Sequence, residues 1–390
     1  MGHGRIASAA KQPLWAVTIW DKKFNSVAPG KQKSAIKYHY LLAGDLKEKI
    51  VPGGDVKLLT TSETDWWTTE DKVVGLVSEG EIVSIPWGGN PNVQYFKGRF
   101  VTADNRIATS SDKGILDNKF LYYFMLSKRN TIGSFYRGAG LKHPEMSKVL
   151  DMEIPLPSIE VQRSFARCMD NVAKVIAIRK TQLESLSQLV KSRFVEMFGS
   201  VPNSTRMADV CSIITDGTHQ SPKFVESGIP FLFVSNIVLN HLTYDAEKFI
   251  DEATYEDLIK RTPIEIGDVL LSTVGSYGHP AIVNSSKKFL FQRHIAYLKP
   301  RKEIVDSQYL HGAILSAAVQ EQIERKVKGI AQKTLNLSEI KTIMLPLPPL
   351  ALQREFAAFV AKVDKLAFAT RRRRDLAQQM YRAKIQEFFG

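Results

Sequence analysis

The chain has 390 residues, enough for roughly two or three domains, and its 44% hydrophobic and 24% charged residues exclude a disordered protein. A formal net charge of +13 favours a polyanionic partner, because Lys and Arg can replace the counterions condensed on a phosphate backbone; a basic soluble protein with no such partner carries the same sign. The only cysteines, Cys168 and Cys211, lie far apart, which excludes a disulfide framework and a zinc knuckle.

The start, Met1-Gly2-His3-Gly4-Arg5, has no apolar signal-peptide core. The longest apolar stretch, Ile229 to Leu239, is too short to span a bilayer and carries Ser235 and Asn236, so the chain is expected to be cytoplasmic. The first predicted helix runs from Phe120 to Arg129. Ile154-Pro155-Leu156-Pro157 then opens a long one, since proline is tolerated in a first helical turn but disfavours helix before it. From Ile159 to about Met197 no Pro or Gly interrupts. Val161, Phe165, Val172, Val175, Leu183, Leu186, Val190, Phe194 and Met197 recur at three- and four-residue steps, one buried stripe on a helix of roughly 58 Å. Further on, Gly267 to Ser272 reads as a turn into a strand, and Phe289 to Leu298 as another. Tyr309 to Lys326 is the predicted counterpart of the helix at Phe120. Leu345-Pro346-Leu347-Pro348 opens a second long helix with Leu352, Phe356, Val360, Val363, Leu366, Leu376, Met380 and Ile385. Its pattern is less regular, with Arg374 opposite Leu183. The two long helices stop at Gly199 and Gly390, a usual helix end.

These segments are an internal repeat. They align without a gap at an offset of 191 (346 − 155), with Pro155/Pro346, Pro157/Pro348, Gln162/Gln353, Arg163/Arg354, Phe165/Phe356, Ala166/Ala357, Val172/Val363, Lys174/Lys365 and Gly199/Gly390 identical. Gly138/Gly329, Lys142/Lys333 and Ser147/Ser338 extend the register. Further upstream an offset of 187 (267 − 80) pairs Gly80 with Gly267, Gly88 with Gly275 and Arg106 with Arg293; before about residue 75 the halves do not align. The expected fold is α+β. Two small mixed α/β domains, 1–153 and 200–344, alternate with helical regions 154–199 and 345–390. Two helices with one stripe each most simply bury them against each other, which predicts an antiparallel, coiled-coil-like pair with pseudo-twofold symmetry. Packing on separate domains is the alternative.

Several residues are candidates for contact with a nucleic acid. The loop Ser272-Thr273-Val274-Gly275-Ser276-Tyr277-Gly278 lets backbone amides approach phosphates, and a hairpin turn explains the same glycines. Its counterpart, Trp87-Gly88-Gly89-Asn90-Pro91-Asn92, adds amides suited to adenine edges. Arg106 and Arg293 stand beside Asn105 and Gln292, pairs suited to guanine and adenine, but matched residues cannot explain different targets, which favours a backbone contact or a structural ion pair. Lys142 and Lys333 sit in matched loops before the helices, as phosphate contacts or solvated lysines. His219, with Thr218 in Asp216-Gly217-Thr218-His219, lacks partner ligands at metal-binding spacing, so a plain loop residue or a polar residue facing DNA is the better reading. Trp66-Trp67 fits core packing better than base stacking. The run Arg371 to Arg374 fits a solvated face, or contact with DNA or a partner.

The starts Pro155–Phe165 and Pro346–Phe356, the Phe-Gly ends at Phe198-Gly199 and Phe389-Gly390, Thr215–His219, Gly267–Gly278 and Gln292-Arg293 resemble the specificity subunits of type I restriction–modification systems. The resemblance covers nearly the whole chain; the first domain departs most, at Pro86–Asn90. It implies two target-recognition domains, each contacting one half of a split double-stranded DNA target. The helices would set the gap and dock two methyltransferase subunits that methylate adenine, with motor-nuclease subunits joining. S-adenosylmethionine, magnesium and ATP would belong to those partners, and this chain would hold no cofactor or metal. No Walker A sequence, deaminase zinc pattern, dinucleotide fingerprint or amino-methyltransferase Asn-Pro-Pro-aromatic run is present, in keeping with a subunit that is not an enzyme. The rival readings are a recognition subunit of another restriction class, a coiled-coil adaptor that binds only protein, and an unrecognised hydrolase.

Overall fold

Each half of the chain leaves and re-enters its domain through the same pair of short strands. Lys11–Pro13 pairs antiparallel with Glu153–Pro155, and Asn203–Arg206 with Met344–Pro346. The next turn is fixed alike, by the amide of Leu14 on the carbonyl of Met152 at 3.0 Å and that of Met207 on Ile343 at 2.8 Å. The repeat therefore reaches the start of both domains, where the sequences no longer align. The computed structural model describes residues 9–21, 35–41, 43–62, 64–103, 105–329 and 332–390, so the segment Met1–Arg5 lies outside it. The chain divides into two units, Met1–Ile178 with Arg373–Gly390, and Arg179–Arg372. Each unit thus holds one globular domain, part of the first long helix and part of the second.

In the first unit six strands form one sheet, in the order Thr18–Trp20, Asn105–Ser110, Ser78–Pro86, Gln94–Thr102, Val56–Leu59, Trp66–Thr68. All neighbours are antiparallel except Val56–Leu59 and Gln94–Thr102. The helix Asn118–Ser127 buries Phe120, Leu121 and Phe124 against Val83 and Ile85 of the sheet. Asp117 caps it by accepting from the amides of Lys119 and Phe120. A second helix, Arg129–Ser134, follows at once.

In the second unit four antiparallel strands run in the order Cys211–Asp216, Ile295–Pro300, Val269–Ser272, Pro280–Ile282. A three-stranded sheet joins Lys248–Ile250, Ile229–Leu232 and Leu290–Phe291. The stretch Phe289–Leu298 is thus two strands. The chain changes sheets at Gln292–His294, where the amide of Gln292 bonds the Leu232 carbonyl at 3.1 Å and that of Arg293 bonds Thr218 at 3.1 Å. Tyr309–Lys326 is likewise two helices, Ser307–Ile314 and Ala317–Lys326. Ser316 between them is extended, and the Gln320 side-chain amide closes the break on the Ile314 carbonyl at 2.8 Å. Asp306 caps the first as Asp117 does in its own unit. The burial of Cys211 pushes its thiol up to about 12, and it packs as an inert hydrophobe.

The long helices span Ile159–Phe198 and Leu350–Phe389. Their motif glutamines are fully buried. The Gln162 side-chain oxygen accepts from the Asp117 amide at 3.0 Å, and its nitrogen donates to the carbonyls of Ile115 at 2.8 Å and Pro157 at 2.9 Å. Gln353 repeats this on Asp306 at 2.9 Å, Ile304 at 3.1 Å and Pro348 at 2.9 Å. Three residues further, Phe165 meets Phe388 and Phe389, the end of the other helix, at 4.2 and 5.3 Å between ring centroids. In the second unit Phe356 meets Phe194 at 5.4 Å and Phe198 at 5.7 Å. Within each unit the start of one helix therefore packs on the end of the other, the antiparallel sense expected. The stripe is less complete than its periodicity predicts, because Val175, Leu352, Leu366, Leu376 and Met380 are exposed.

Gln353→Leu is expected to destabilise the second unit by about 2–3 kcal/mol, because the Asp306 amide and the carbonyls of Ile304 and Pro348 lose their partner. Hydrogen exchange across residues 304–314 checks this; unchanged protection would show that the bonds are dispensable.

Candidate nucleic-acid interface

In both units one edge of the sheet gathers the candidate residues. In the first, Pro86 ends its strand opposite Asn105, and the chain turns into Trp87–Asn92. Gly89, with φ +88°, donates its amide to the Lys142 carbonyl at 3.2 Å. A Cβ on Gly88 would lie 2.9 Å from the exposed Leu141 side chain, which would have to move to admit it. His143 donates from Nδ1 to the Trp87 carbonyl at 2.7 Å, its ring 5.2 Å from the indole. Gly89, Asn90 and Lys142 are exposed, while the Asn92 amide is occupied by the Ser62 carbonyl at 3.1 Å.

In the second unit Asp216 ends its strand opposite Ala296, and Ser272 ends its strand opposite Ile295. Gly275, with φ +72°, donates its amide to the Lys333 carbonyl at 3.1 Å, the same latch as Gly89 on Lys142. The Lys333 ammonium pairs with Glu324 at 2.8 Å and lies 5.8 Å from the Tyr277 ring, whose hydroxyl also donates to Glu324. That pairing raises the Lys333 pKa and lowers that of Glu324. Ser276 and Arg293 are exposed, and Gln292 and Thr218 half-buried. Thr218 is fixed by its amide on the Phe291 carbonyl at 3.0 Å, and Gly217 must be glycine because a Cβ would lie 2.2 Å from that oxygen.

Three candidates are corrected. Arg106 is 3% exposed and forms a 2.7 Å ion pair with the fully buried Asp21, its guanidinium 4.4 Å from the Trp87 ring. It is a structural residue. Ser272 and Thr273 are also buried. Ser272 Oγ accepts from the His279 amide at 2.9 Å, and the Thr273 carbonyl accepts from Leu335 at 2.8 Å. The two loops also match in a different register. The matched latches pair Gly89, not Gly88, with Gly275, an offset of 186 (275 − 89). Arg106 lies inside a strand opposite Ile85, whereas Arg293 lies in the turn between two strands, so the two arginines are not equivalent.

One residue escaped the sequence reading. Arg261 reaches the Asp216 carboxylate at 2.5 Å, while His219 contacts the other oxygen at 2.9 Å. Arg261 lies 45 residues from Asp216 in the chain, and no local motif marks it. Trp66 and Trp67 pack as expected, Trp67 with Phe96 at 6.1 Å and Trp66 against Val56 and its neighbours. Arg371, Arg372 and Arg373 are exposed, and Arg374 pairs with Asp375 at 2.8 Å. Among the described residues no His, Cys, Asp and Glu cluster suits a metal ion, and no helix is long and apolar enough to cross a membrane.

Comparison with known proteins gives a consistent result. Residues 18–188 and 204–377 match the family described as the type I restriction modification DNA specificity domain. The type I restriction enzyme MjaVIII specificity subunit of Methanocaldococcus jannaschii is 21% identical over 331 residues, 77% of this chain and 76% of that protein. The EcoBI specificity subunit of Escherichia coli is 24% identical over 341 residues, covering 77% and 67%. Among solved structures, a type I restriction–modification S subunit from M. genitalium has the same fold, with a TM-score of 0.63 at 15% identity over 100% of this chain and 98% of that one.

Arg106→Met is expected to cost about 3–5 kcal/mol, since it strands the buried Asp21 carboxylate. Arg293→Met, on the surface, is expected to change stability by less than about 0.5 kcal/mol. Thermal unfolding of the full chain distinguishes the two, and equal effects would refute the structural assignment of Arg106.

Proposed function

Because the chain belongs to the type I restriction–modification DNA specificity family, and is thus a non-catalytic subunit for recognising DNA sequence, we propose that each globular domain contacts one half of a bipartite duplex target. The observation that carries this reading is the repeated sheet edge. In both units a glycine amide latches to a lysine carbonyl, and the side chains displayed around that latch differ. A constant backbone frame with variable side chains suits two readers of different half-targets.

In this reading Asn90, Ser276, Gln292 and Arg293 face base edges or phosphates, with Trp87, Thr218, His219 and Tyr277 beside them. Lys142 and Lys333 contact phosphate, and Gly88, Gly89 and Asn92 shape the first loop. Base edges supply specificity while lysine and arginine on phosphate supply affinity. The domains are 1–153 and 200–344, and the helical regions 154–199 and 345–390. The helices set the gap between half-targets, which a duplex repeating every 34–36 Å or so makes selective. They also dock two methyltransferase subunits, and exposed apolar side chains are available for that contact in each unit, Val175, Leu376 and Met380 in the first and Leu352 and Leu366 in the second. Motor-nuclease subunits complete the restriction complex. Adenine methylation with S-adenosylmethionine, and any ATP-driven step, takes place in those partners.

Co-expression with the neighbouring methyltransferase in an unmodified host, followed by genome-wide mapping of methylated adenines, tests this reading. One split motif is expected, and exchanging residues 200–344 for those of a relative should change one half only. An assembled complex that adds no methylation would overturn it.

A further inference from the structure

Beside the sheet edge of the second unit, residues 217–223 and 254–262 enclose an open cleft lined by Thr218, His219, Lys223, Lys260 and Arg261. Its groups are mostly hydrogen-bond donors. Lys223, Lys260 and Arg261 bring positive charge, and Ser221 and Thr254 bring hydroxyls. Two carboxylates belong to the site, and one of them, Asp257, is in the cleft lining. Asp257 lies 3.6 Å from the Lys260 ammonium, and Asp216 is held by Arg261 and His219.

Arg261 is placed unlike a flexible surface arginine. Its Nη2 rests on Asp216, whose side chain is 14% exposed, and lies 3.2 Å from the His219 ring nitrogen. Asp216 in turn sits at the end of a strand, and the Gly217 that follows has no room for a side chain. The guanidinium is therefore fixed relative to the sheet edge that presents Gln292 and Arg293. Its bond to Asp216 uses Nη2, which leaves the donors of Nε and Nη1 for a ligand. Guanine and phosphate both offer arginine acceptors only, but a guanine edge is neutral and a phosphate is an anion that can gather several cations. Three cations, Lys223, Lys260 and Arg261, against the two carboxylates Asp257 and Asp216 leave the site net positive, which matches the phosphate.

We propose that this cleft seats a backbone phosphate of the duplex, with Arg261 as its anchor and Asp216 as the positioning residue. The inference rests on the reading of this chain as a DNA-recognition subunit and assigns a site within it. Each phosphate neutralised adds about 0.9 to the salt dependence of binding, and losing such a contact weakens all sequences alike.

The test compares the assembled methyltransferase complex carrying Arg261→Gln, Arg261→Lys or Lys302→Gln with the unaltered complex. Lys302→Gln removes the same charge just beyond Pro300, whose strand end lies opposite Cys211, away from the Asp216 edge. Binding to a duplex bearing the mapped motif, and to a scrambled one, is measured across salt concentrations. Arg261→Gln is expected to weaken both duplexes roughly tenfold and to lower the salt slope by about one, with the methylation motif unchanged. Arg261→Lys should keep the slope, and Lys302→Gln should leave it unaltered. A slope that Arg261→Gln leaves intact overturns the assignment. So does relaxation of the motif at one base pair of the second half, which would make Arg261 a base reader. If the unaltered complex yields no split motif, the recognition reading fails along with it.

Discussion

A buried glutamine at the start of each long helix ties that helix to its domain. The amide side chain has one acceptor oxygen and two N–H donors, and Gln162 uses all three, accepting from Asp117 and donating to Ile115 and Pro157. Asp117 in turn caps the helix Asn118–Ser127, so linker, cap and long helix are locked through a single side chain. Glutamate has no donor for the carbonyls, and asparagine is one methylene shorter. Gln353 makes the same bonds in the second unit. The phenylalanine one turn later then meets the aromatic end of the other helix, so each domain holds the start of one helix and the end of the other. An error at the glutamine would be felt at the domain, the helix start and the aromatic cluster together.

The helical repeat was legible because its signals are local. Proline pairs, an uninterrupted 3.6-residue period and a terminal glycine all act within a few residues of where they occur. The recognition surface was less legible because its contacts join distant positions. Nothing near Arg106 announces that Asp21, 85 residues earlier, will bury it, and nothing near Arg261 announces Asp216. Alternation of apolar residues read through Gln292–His294 as one strand, since the change of sheet is set by bonds to Leu232 and Thr218. The matched glycine was misplaced by one residue, because two consecutive glycines at 88 and 89 offer the same letter and only the latch on Lys142 chooses between them. Burial of the helix stripe was overestimated for a similar reason: period shows that a face is apolar, not that something covers it.

The two units make opposite use of an acidic residue near the end of the first sheet strand. Asp21 is sealed inside with Arg106, and its second oxygen holds the Ile107 amide at 2.9 Å. Asp216 is largely covered, but its partners Arg261 and His219 are half exposed. The energetic consequences differ. A buried pair is costly to break, because either charge left alone is poorly solvated, so it serves as framework. An exposed pair contributes only about 0–1 kcal/mol, so its cation can be shared with another anion at little cost.

The same reasoning applies to Lys333, which the free protein pairs with Glu324 at the surface. Contact with a phosphate there would exchange one exposed ion pair for another. Near a polyanion the exchange is driven by counterion release rather than by the strength of either pair, and it weakens as salt rises. Surface pairs of this kind hold lysine and arginine side chains in place before DNA arrives without binding them strongly enough to compete with it. The backbone latches at Gly89 and Gly275 and the buried Asp21–Arg106 pair do not take part in that exchange. A sheet edge built this way keeps its frame fixed while the side chains around it change partners, which allows one fold to serve two different half-targets.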